Sequence, residues 1–146
     1  MRPVPVLIIT LILAIASPWA NGSDSTGIRF RWQVVGIKDG DTLAVVLPAL
    51  PATLNPIGVR LRGVDTPEGG GRAKCASERA LAARATKFTR QAVTAAASIE
   101  FGDPSWDKYG GRIDADVWID GKRLADQLIA VGLARRYDGG KRAGWC

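Results

Sequence analysis

The chain of 146 residues contains no histidine, only two cysteines and only one methionine. The lack of histidine excludes catalysis by a Ser–His–Asp or Cys–His arrangement and any metal site that needs an imidazole ligand. A general base must then be a carboxylate, a tyrosine or a lysine, unless a metal-bound water takes that role. The chemistry open to this sequence is therefore that of carboxylates, oxygen ligands and cationic side chains.

Long apolar runs are also scarce, and the one that is present lies at the N-terminus, from residue 4 to 16. Arg2 precedes it and small, turn-forming residues follow it, as in a secretory signal peptide. The run is shorter than the roughly 20 residues of a membrane span, although an uncleaved anchor is the alternative. We expect a signal peptide over 1–22, cleaved after "AIA", "PWA" or "ANG", and one exported domain over 23–146. That domain would be periplasmic or secreted and would keep no membrane span.

The two cysteines are Cys75 and Cys146, the last residue of the chain. In an oxidising compartment such a pair is expected to form one disulfide, with two unpaired thiols as the alternative. The crosslink would close a loop of roughly 70 residues and stabilise the fold by about 4 kcal/mol in loop-entropy models.

Basic residues outnumber acidic ones by 20 to 14, which gives a formal net charge of +6. A basic exported domain favours anionic partners such as nucleic acid, phosphate or an anionic surface. On the alanine-rich segment, Arg84, Lys87 and Arg90 fit a solvated helix face. The basic residues near the C-terminus are better candidates for nucleic-acid contact: Arg135, Arg136, Lys141 and Arg142.

Alternating apolar and polar residues predict five short strands, and two longer periodic segments predict helices. Because Asp-Gly favours a hairpin turn, the first three strands are expected to form an antiparallel meander. The predicted strands cover 28–39, 42–47, 59–64, 98–103 and 112–120, and the helices start at Ala76 and near 121, the second ending at Gly132. The segments 104–111 and 133–146 are predicted to be irregular.

This order of elements predicts the fold class. A parallel three-layer α/β fold is excluded because the first three strands lack helical crossovers. Five strands, with one helix after the third and one after the fifth, fit a five-stranded Greek-key barrel of the oligonucleotide-binding (OB) type, mainly β with helices (α+β).

Three charged segments stand out: "DGD" at 39–41, "RLRGVDTPE" at 60–68 and "DKYGGR" at 107–112. Each one alone also fits a turn, a cap or a solvated surface. Surface ion pairs contribute under about 1 kcal/mol, so stability explains such clustering poorly. A shared ligand explains it better.

Taken together and in this order, the segments resemble the staphylococcal nuclease (thermonuclease) family. "VVGIKDGDTLAV" resembles its first hairpin, "VRLRGVDTPE" its central strand and active turn, and 107–137 its Tyr-Gly-Arg loop, following strand and final helix. The resemblance covers about 32–137 and implies an OB-type barrel that acts as a calcium-dependent nuclease on DNA and RNA, leaving a 3′-phosphate. We expect a monomer that prefers unpaired or frayed strands.

The resemblance implies a calcium site made by Asp41, Asp65 and the carbonyl oxygen of Thr66, with Asp39 behind these ligands. Hard oxygen ligands of this kind suit calcium. Two carboxylates held close together repel each other, and a divalent cation relieves that repulsion.

The resemblance also assigns Arg60 and Arg112 to the scissile phosphate, Glu68 to the attacking water and Tyr109 to the bound nucleotide. Guanidinium groups suit phosphoryl oxygens because they donate two hydrogen bonds and stay charged. The run here is "YGGR" rather than Tyr-Gly-Arg. Counting back from 120–121 selects Arg112, whereas counting forward from 107 selects Gly111. We choose Arg112 because the following strand fixes the register.

Strand geometry sets one condition on this site. Arg60 and Asp65 are five positions apart, so an ideal strand places them on opposite faces. Both reach one site only if the backbone bends near Gly63 and Pro67. Two rival functions stay open: a nucleic-acid-binding OB module without catalysis, and an envelope protein whose basic patch touches anionic polymers.

Overall fold

The computed structural model describes residues 27–146 of the chain. The signal peptide predicted over 1–22 lies outside these residues. Within the described range, no helix has the length and apolar character needed to cross a membrane.

The first part of the domain is an antiparallel meander, as predicted. It consists of β2 (Gln33–Asp39), β3 (Thr42–Val46) and β4 (Ile57–Leu61), with β3 paired to both neighbours. The loop between β3 and β4 includes a short 3₁₀ turn, Ala52–Leu54.

The turn between β2 and β3 packs tightly against the long helix α1 (Ala76–Ala95). A Cβ atom at Gly40 would lie 2.7 Å from the Cβ atom of Ala85, so no larger residue fits there. The hydroxyl of Thr89 donates a 2.7 Å hydrogen bond to the carbonyl oxygen of Gly40. The helix therefore fixes the position of the turn that carries Asp39 and Asp41.

The second part is the hairpin of β6 (Ile99–Trp106) and β7 (Arg112–Ile119), followed by the helix α2 (Leu124–Ala130). The strand predicted over 98–103 is longer than expected and continues to Trp106, so the loop begins at Asp107. A register shift between Gly102 and Ser105 accommodates Pro104, which has no N–H to donate to the ladder.

β7 joins the two parts by a parallel ladder with β4, in which Gly58 pairs with Arg112 and Leu61 with Ala115. The main sheet has the order β1-β6-β7-β4-β3-β2. Its first strand, β1 (Arg29–Phe30), is separated from β2 by only Arg31 and Trp32. The hydrogen-bonded path is open, but its two end strands are neighbours in the chain, so the sheet curls round as in an OB-like barrel. The α+β, OB-like prediction is confirmed.

Three short strands complete the fold. β5 (Val64–Asp65) pairs with β9 (Arg135–Arg136), and β8 (Lys122–Arg123) pairs with β7. A second 3₁₀ turn covers Gly70–Arg72. The C-terminal segment predicted to be irregular thus contains one strand, which holds that segment beside the end of β4.

The core lies inside the curled sheet and is closed by the two helices. On β7 the alternation predicted from the sequence is present, since Ile113, Ala115, Val117 and Ile119 are all buried. Burying one such large aliphatic side chain contributes about 1.5–3 kcal/mol. The other large core side chains are Leu43, Val45, Leu47, Ile57, Val59, Leu61, Val64, Phe101, Leu124, Leu128 and Leu133.

Candidate active site

A left-handed glycine brings the central strand's arginine and aspartate together. Gly63 has φ +76°, a conformation that favours glycine, and the chain turns there between β4 and β5. After this turn, Arg60 Nη2 lies 3.9 Å from Asp65 Oδ1 and 3.4 Å from Asp41 Oδ2. The bend required by the alternation argument is therefore present. Arg62 points elsewhere and donates to the carbonyl oxygens of Asp103 and Asp114.

The two aspartates predicted to bind metal are buried carboxylates. Asp41 is 7% exposed and Asp65 is 5% exposed, and Thr66 beside them is also buried. Asp41 Oδ1 accepts a 3.0 Å hydrogen bond from the hydroxyl of Thr42. Asp65 Oδ1, by contrast, has no hydrogen-bond donor within residues 27–146. The cations near this oxygen are the guanidinium groups of Arg142, at 3.2 Å, and Arg60, at 3.9 Å, which offset the cost of burying a charged oxygen without a hydrogen bond.

Asp39 adds a third carboxylate next to this pair. Its burial, and secondly the negative charge of Asp41, raise the pKa of Asp39 above the ordinary value of 3.8. Its Oδ1 atom is also buried without a donor in the described part of the chain. The exposed Arg72 reaches only its other oxygen, at 3.6 Å. The turn at 39–41 therefore places two carboxylates side by side, each with one arginine near it: Arg72 beside Asp39 and Arg60 beside Asp41.

Asp39 and Asp41 line a small cavity of about 60 Å³, which Asp65 borders only through its neighbours Thr66 and Arg60. Such a volume has room for an ion with one or two waters. Its lining combines four arginines with three carboxylates, whose oxygens suit a hard cation such as calcium. Asp39 Oδ1, which has no hydrogen-bond donor in the described part of the chain, is consistent with such an ion. The residues present therefore fit a divalent cation. The lining consists of Asp39, Asp41, Thr42, Arg60, Thr66, Pro67, Glu68, Arg72, Arg112 and Arg142.

A larger open cleft of about 740 Å³ lies beside the small cavity. Three arginines line both spaces: Arg60, Arg112 and Arg142. Tyr109 lines the cleft and is 79% exposed. The structure thus places Tyr109 in the cleft and not in the small cavity, and the three arginines line the boundary between the two spaces.

Arg112 is the first residue of β7, and its position follows from the parallel pairing with β4. Its Nη2 atom lies 3.3 Å from Asp107 Oδ2, which holds the side chain in place. Its Nε atom is buried and has no acceptor among the residues that the structure describes. Arg112 lines both spaces, whereas Gly111 lines neither.

Glu68 is held between two arginines at the edge of the small cavity. Arg72 Nε lies 2.7 Å from Glu68 Oε2, and Arg142 Nη1 lies 3.0 Å from Glu68 Oε1. The carboxylate is half-buried and fixed in orientation by these contacts, which suits a group that has to position a water molecule.

The site includes two residues that the sequence did not assign to it, Arg142 and Trp145. Arg142 Nε lies 3.2 Å from Asp65 Oδ1, although the N–H direction makes no hydrogen bond. Burial lowers the pKa of Arg142, but the charge of Asp65 and further contacts outweigh this effect, so the pKa lies above its ordinary value. Trp145 Nε1 donates a 3.1 Å hydrogen bond to Asp65 Oδ2.

A disulfide joins Cys75 to Cys146, with 6.0 Å between their Cα atoms, and confirms the predicted pairing. The predicted pairing of Cys75 with Cys146 was the sequence feature that could have indicated that Arg142 and Trp145 lie near this site. Because Cys75 follows Glu68 closely in the chain, a bond to Cys146 brings the whole C-terminal end near the central strand.

Fold and site together define a class: an OB-like α+β domain with buried carboxylates and arginines at the mouth of a cleft. The model of the staphylococcal nuclease homologue family matches residues 58–143, more than half of the chain. The chain belongs to this family, which supports a nuclease-like function. The matched range includes β4, β5, β7 and Arg142, whereas Asp39 and Asp41 precede it. No curated protein matches the chain.

Proposed function

We propose that this protein is an exported, calcium-dependent nuclease that hydrolyses phosphodiester bonds in DNA and RNA. One observation carries the proposal: Asp39 and Arg112 line the same small cavity, and within residues 27–146 one has a buried acceptor without a donor while the other has a buried donor without an acceptor. The carboxylate oxygens of Asp39 and Asp65 lack donors, and Arg112 Nε lacks an acceptor, within the described residues. A divalent cation with a phosphodiester supplies what both sides lack. The signal-like pattern of 1–22 supports export.

Asp41, Asp65 and the carbonyl oxygen of Thr66 are the residues that would hold the ion. Calcium, when bound, supplies positive charge near the reacting phosphate and orients water. Asp39, which also lines the cavity, adds negative charge to the site without needing to touch the ion.

The arginines contact the substrate. Arg60 and Arg112 donate hydrogen bonds to the phosphoryl oxygens, where negative charge builds up in the transition state. Arginines acting on phosphoryl transition states contribute about 10³–10⁵ in rate, or roughly 4–7 kcal/mol. That gain far exceeds the worth of a surface ion pair, so catalysis accounts for the cluster better than stability does.

Glu68 orients the attacking water or accepts its proton. The water oxygen bonds to phosphorus and the P–O5′ bond breaks; the proton that the water loses goes to Glu68 or to solvent, and the leaving O5′ takes up a proton from solvent. The products are a 3′-phosphate, as the family resemblance implies, and a 5′-hydroxyl.

The open cleft accounts for the preferred form of the substrate. Its volume lies in the range of small-ligand clefts, so it suits a splayed strand rather than an intact duplex. The exposed ring of Tyr109 offers a face on which a base can stack. We therefore propose that denatured DNA and single-stranded RNA are cleaved faster than duplex.

The proposal is tested by incubating the purified protein with heat-denatured DNA in calcium chloride or in EGTA. Cleavage is expected in calcium and not in chelator. Asp41→Asn should lose activity, whereas the matched control Asp126→Asn, on the exposed face of α2, should keep it. Cleavage that persists in EGTA would exclude the calcium assignment. Salt-sensitive DNA binding without cleavage would favour the non-catalytic binding module.

A further inference from the structure

The C-terminal end of the chain forms a strap, residues 144–146, that lies over the carboxylate cluster. Three contacts fix it. Arg135 Nη1 donates a 2.8 Å hydrogen bond to the carbonyl oxygen of Gly144, and the Arg135 guanidinium lies 3.8 Å from the centre of the Trp145 ring. The next residue, Cys146, is bonded to Cys75. The indole of Trp145 is therefore held from both sides.

The indole of Trp145 donates a hydrogen bond to one carboxylate oxygen of Asp65 and makes none to the other oxygen. Trp145 Nε1 donates to Asp65 Oδ2 at 3.1 Å, while Oδ1 accepts no hydrogen bond from any residue of 27–146. A carboxylate held at one oxygen cannot rotate freely about its last torsion. Its second oxygen then points in a fixed direction.

The chemical nature of this donor matters. Arg60 and Arg142 already lie 3.9 Å and 3.2 Å from Asp65 Oδ1, and each of these cations competes with a metal for that oxygen. The indole N–H is uncharged and donates only. It orients the carboxylate without neutralising the negative charge that a cation needs.

We propose that Trp145 is a positioning residue for Asp65 as a calcium ligand, and that the Cys75–Cys146 disulfide holds Trp145 in place. This inference rests on the calcium site of the proposed function. Carboxylates that ligate metals are commonly oriented by a hydrogen bond from a neighbouring group, and loss of that group costs 10–100-fold in metal affinity or activity. The calcium affinity of this site thus depends on the disulfide that attaches the C-terminal residue to Cys75.

The first test measures calcium affinity by isothermal titration calorimetry, with no nucleic acid present. Trp145→Phe keeps an aromatic ring over Arg135 but removes the N–H. We expect its dissociation constant for calcium to rise by about 10–100-fold. Trp106→Phe makes the same change at a tryptophan that is 58% exposed on β6, and its affinity should equal that of the wild type.

The second test releases the strap without changing Trp145. The wild-type protein is titrated with calcium before and after reduction of the disulfide, with circular dichroism showing that the fold persists. Reduction should weaken binding in the wild type but add little in Trp145→Phe, because both changes remove the same hydrogen bond. The comparison of oxidised and reduced wild-type protein still tests the proposal if Trp145→Phe does not fold.

The outcomes distinguish failure of the proposed calcium site from failure of the role proposed for Trp145. A wild-type protein that binds no calcium overturns both the proposed metal site and this inference. A wild type that binds calcium while Trp145→Phe binds equally well overturns the inference alone. Equal weakening by Trp106→Phe, or additive effects of mutation and reduction, would also overturn it, because the effect would then not pass through the Trp145–Asp65 contact.

Discussion

Removing the disulfide is expected to lower the stability of the protein by an amount that follows from the loop it closes. Cys75 and Cys146 are separated by 71 positions. A crosslink over such a loop reduces the entropy of the unfolded chain by an amount worth about 4 kcal/mol at 25 °C. Domains of this kind have about 5–15 kcal/mol of total stability. A variant without the crosslink should therefore be folded but marginal, with a melting temperature lower by roughly 10–20 °C.

The measurement is equilibrium urea unfolding of Cys75→Ser, Cys146→Ser and the double variant, compared with the oxidised wild type. EGTA is present throughout, so that calcium binding does not add to the difference. With a slope of about 2 kcal/mol per molar urea, the midpoint should fall by about 2 M.

The three variants together decide the cause. Each single substitution breaks the same bond, so all three variants should lose the same free energy of unfolding. An unchanged midpoint would refute the reasoning outright. Two smaller single losses that sum to the double loss would also refute it, because they would indicate side-chain packing rather than a crosslink.

Three further predictions concern single charges. Arg60→Lys should lower the rate of DNA cleavage by about 10²-fold or more in a calcium-dependent assay, with the exposed helix variant Arg84→Lys unchanged; full activity of the first would move the phosphate site elsewhere. The pKa of Asp39 in the folded protein is raised above 3.8. The protonated carboxyl therefore stabilises the folded state at pH values below 3.8, and this stabilisation is lost as the pH rises through the folded-state pKa. Asp39→Asn should therefore stabilise the calcium-free protein at neutral pH and have less effect in acid, as urea unfolding at both pH values would show; equal effects would contradict this. Arg142→Gln should lower kcat/KM for denatured DNA by about 10–100-fold, the worth of a charge-assisted hydrogen bond, and unaltered kinetics would remove it from the site.

The fold was predictable wherever a local pattern decides the structure. On β7 the strict alternation predicts both the strand and its buried face, and the alanine-rich spacing predicts α1 from Ala76 onward. Gly63 was predictable as a bend because Arg60 and Asp65 needed one to meet. In each case the deciding contacts lie within a few residues of one another.

The missed features depend on contacts between distant segments. The sequence 104–106 contains a proline and was predicted to be a loop, yet pairing with β7 continues the strand through a register shift. Arg142 was considered for nucleic-acid contact, but nothing near it in the chain indicates that it faces Asp65 and Glu68. Trp145 had no local signal at all, since its partner belongs to β5.

The parallel ladder between β4 and β7 has a consequence for how the protein folds. It joins residues 58–61 to residues 112–115, and closing a loop of that length costs entropy before any contact repays it. Helix α1 and the two hairpins can form earlier, because their contacts are local. Arg112 meets Arg60 only when the ladder closes, and Trp145 meets Asp65 only when the chain end docks. During refolding, helical circular dichroism should therefore return before calcium binding and cleavage, and nascent chains that end before β7 have the aspartates but not the full set of arginines.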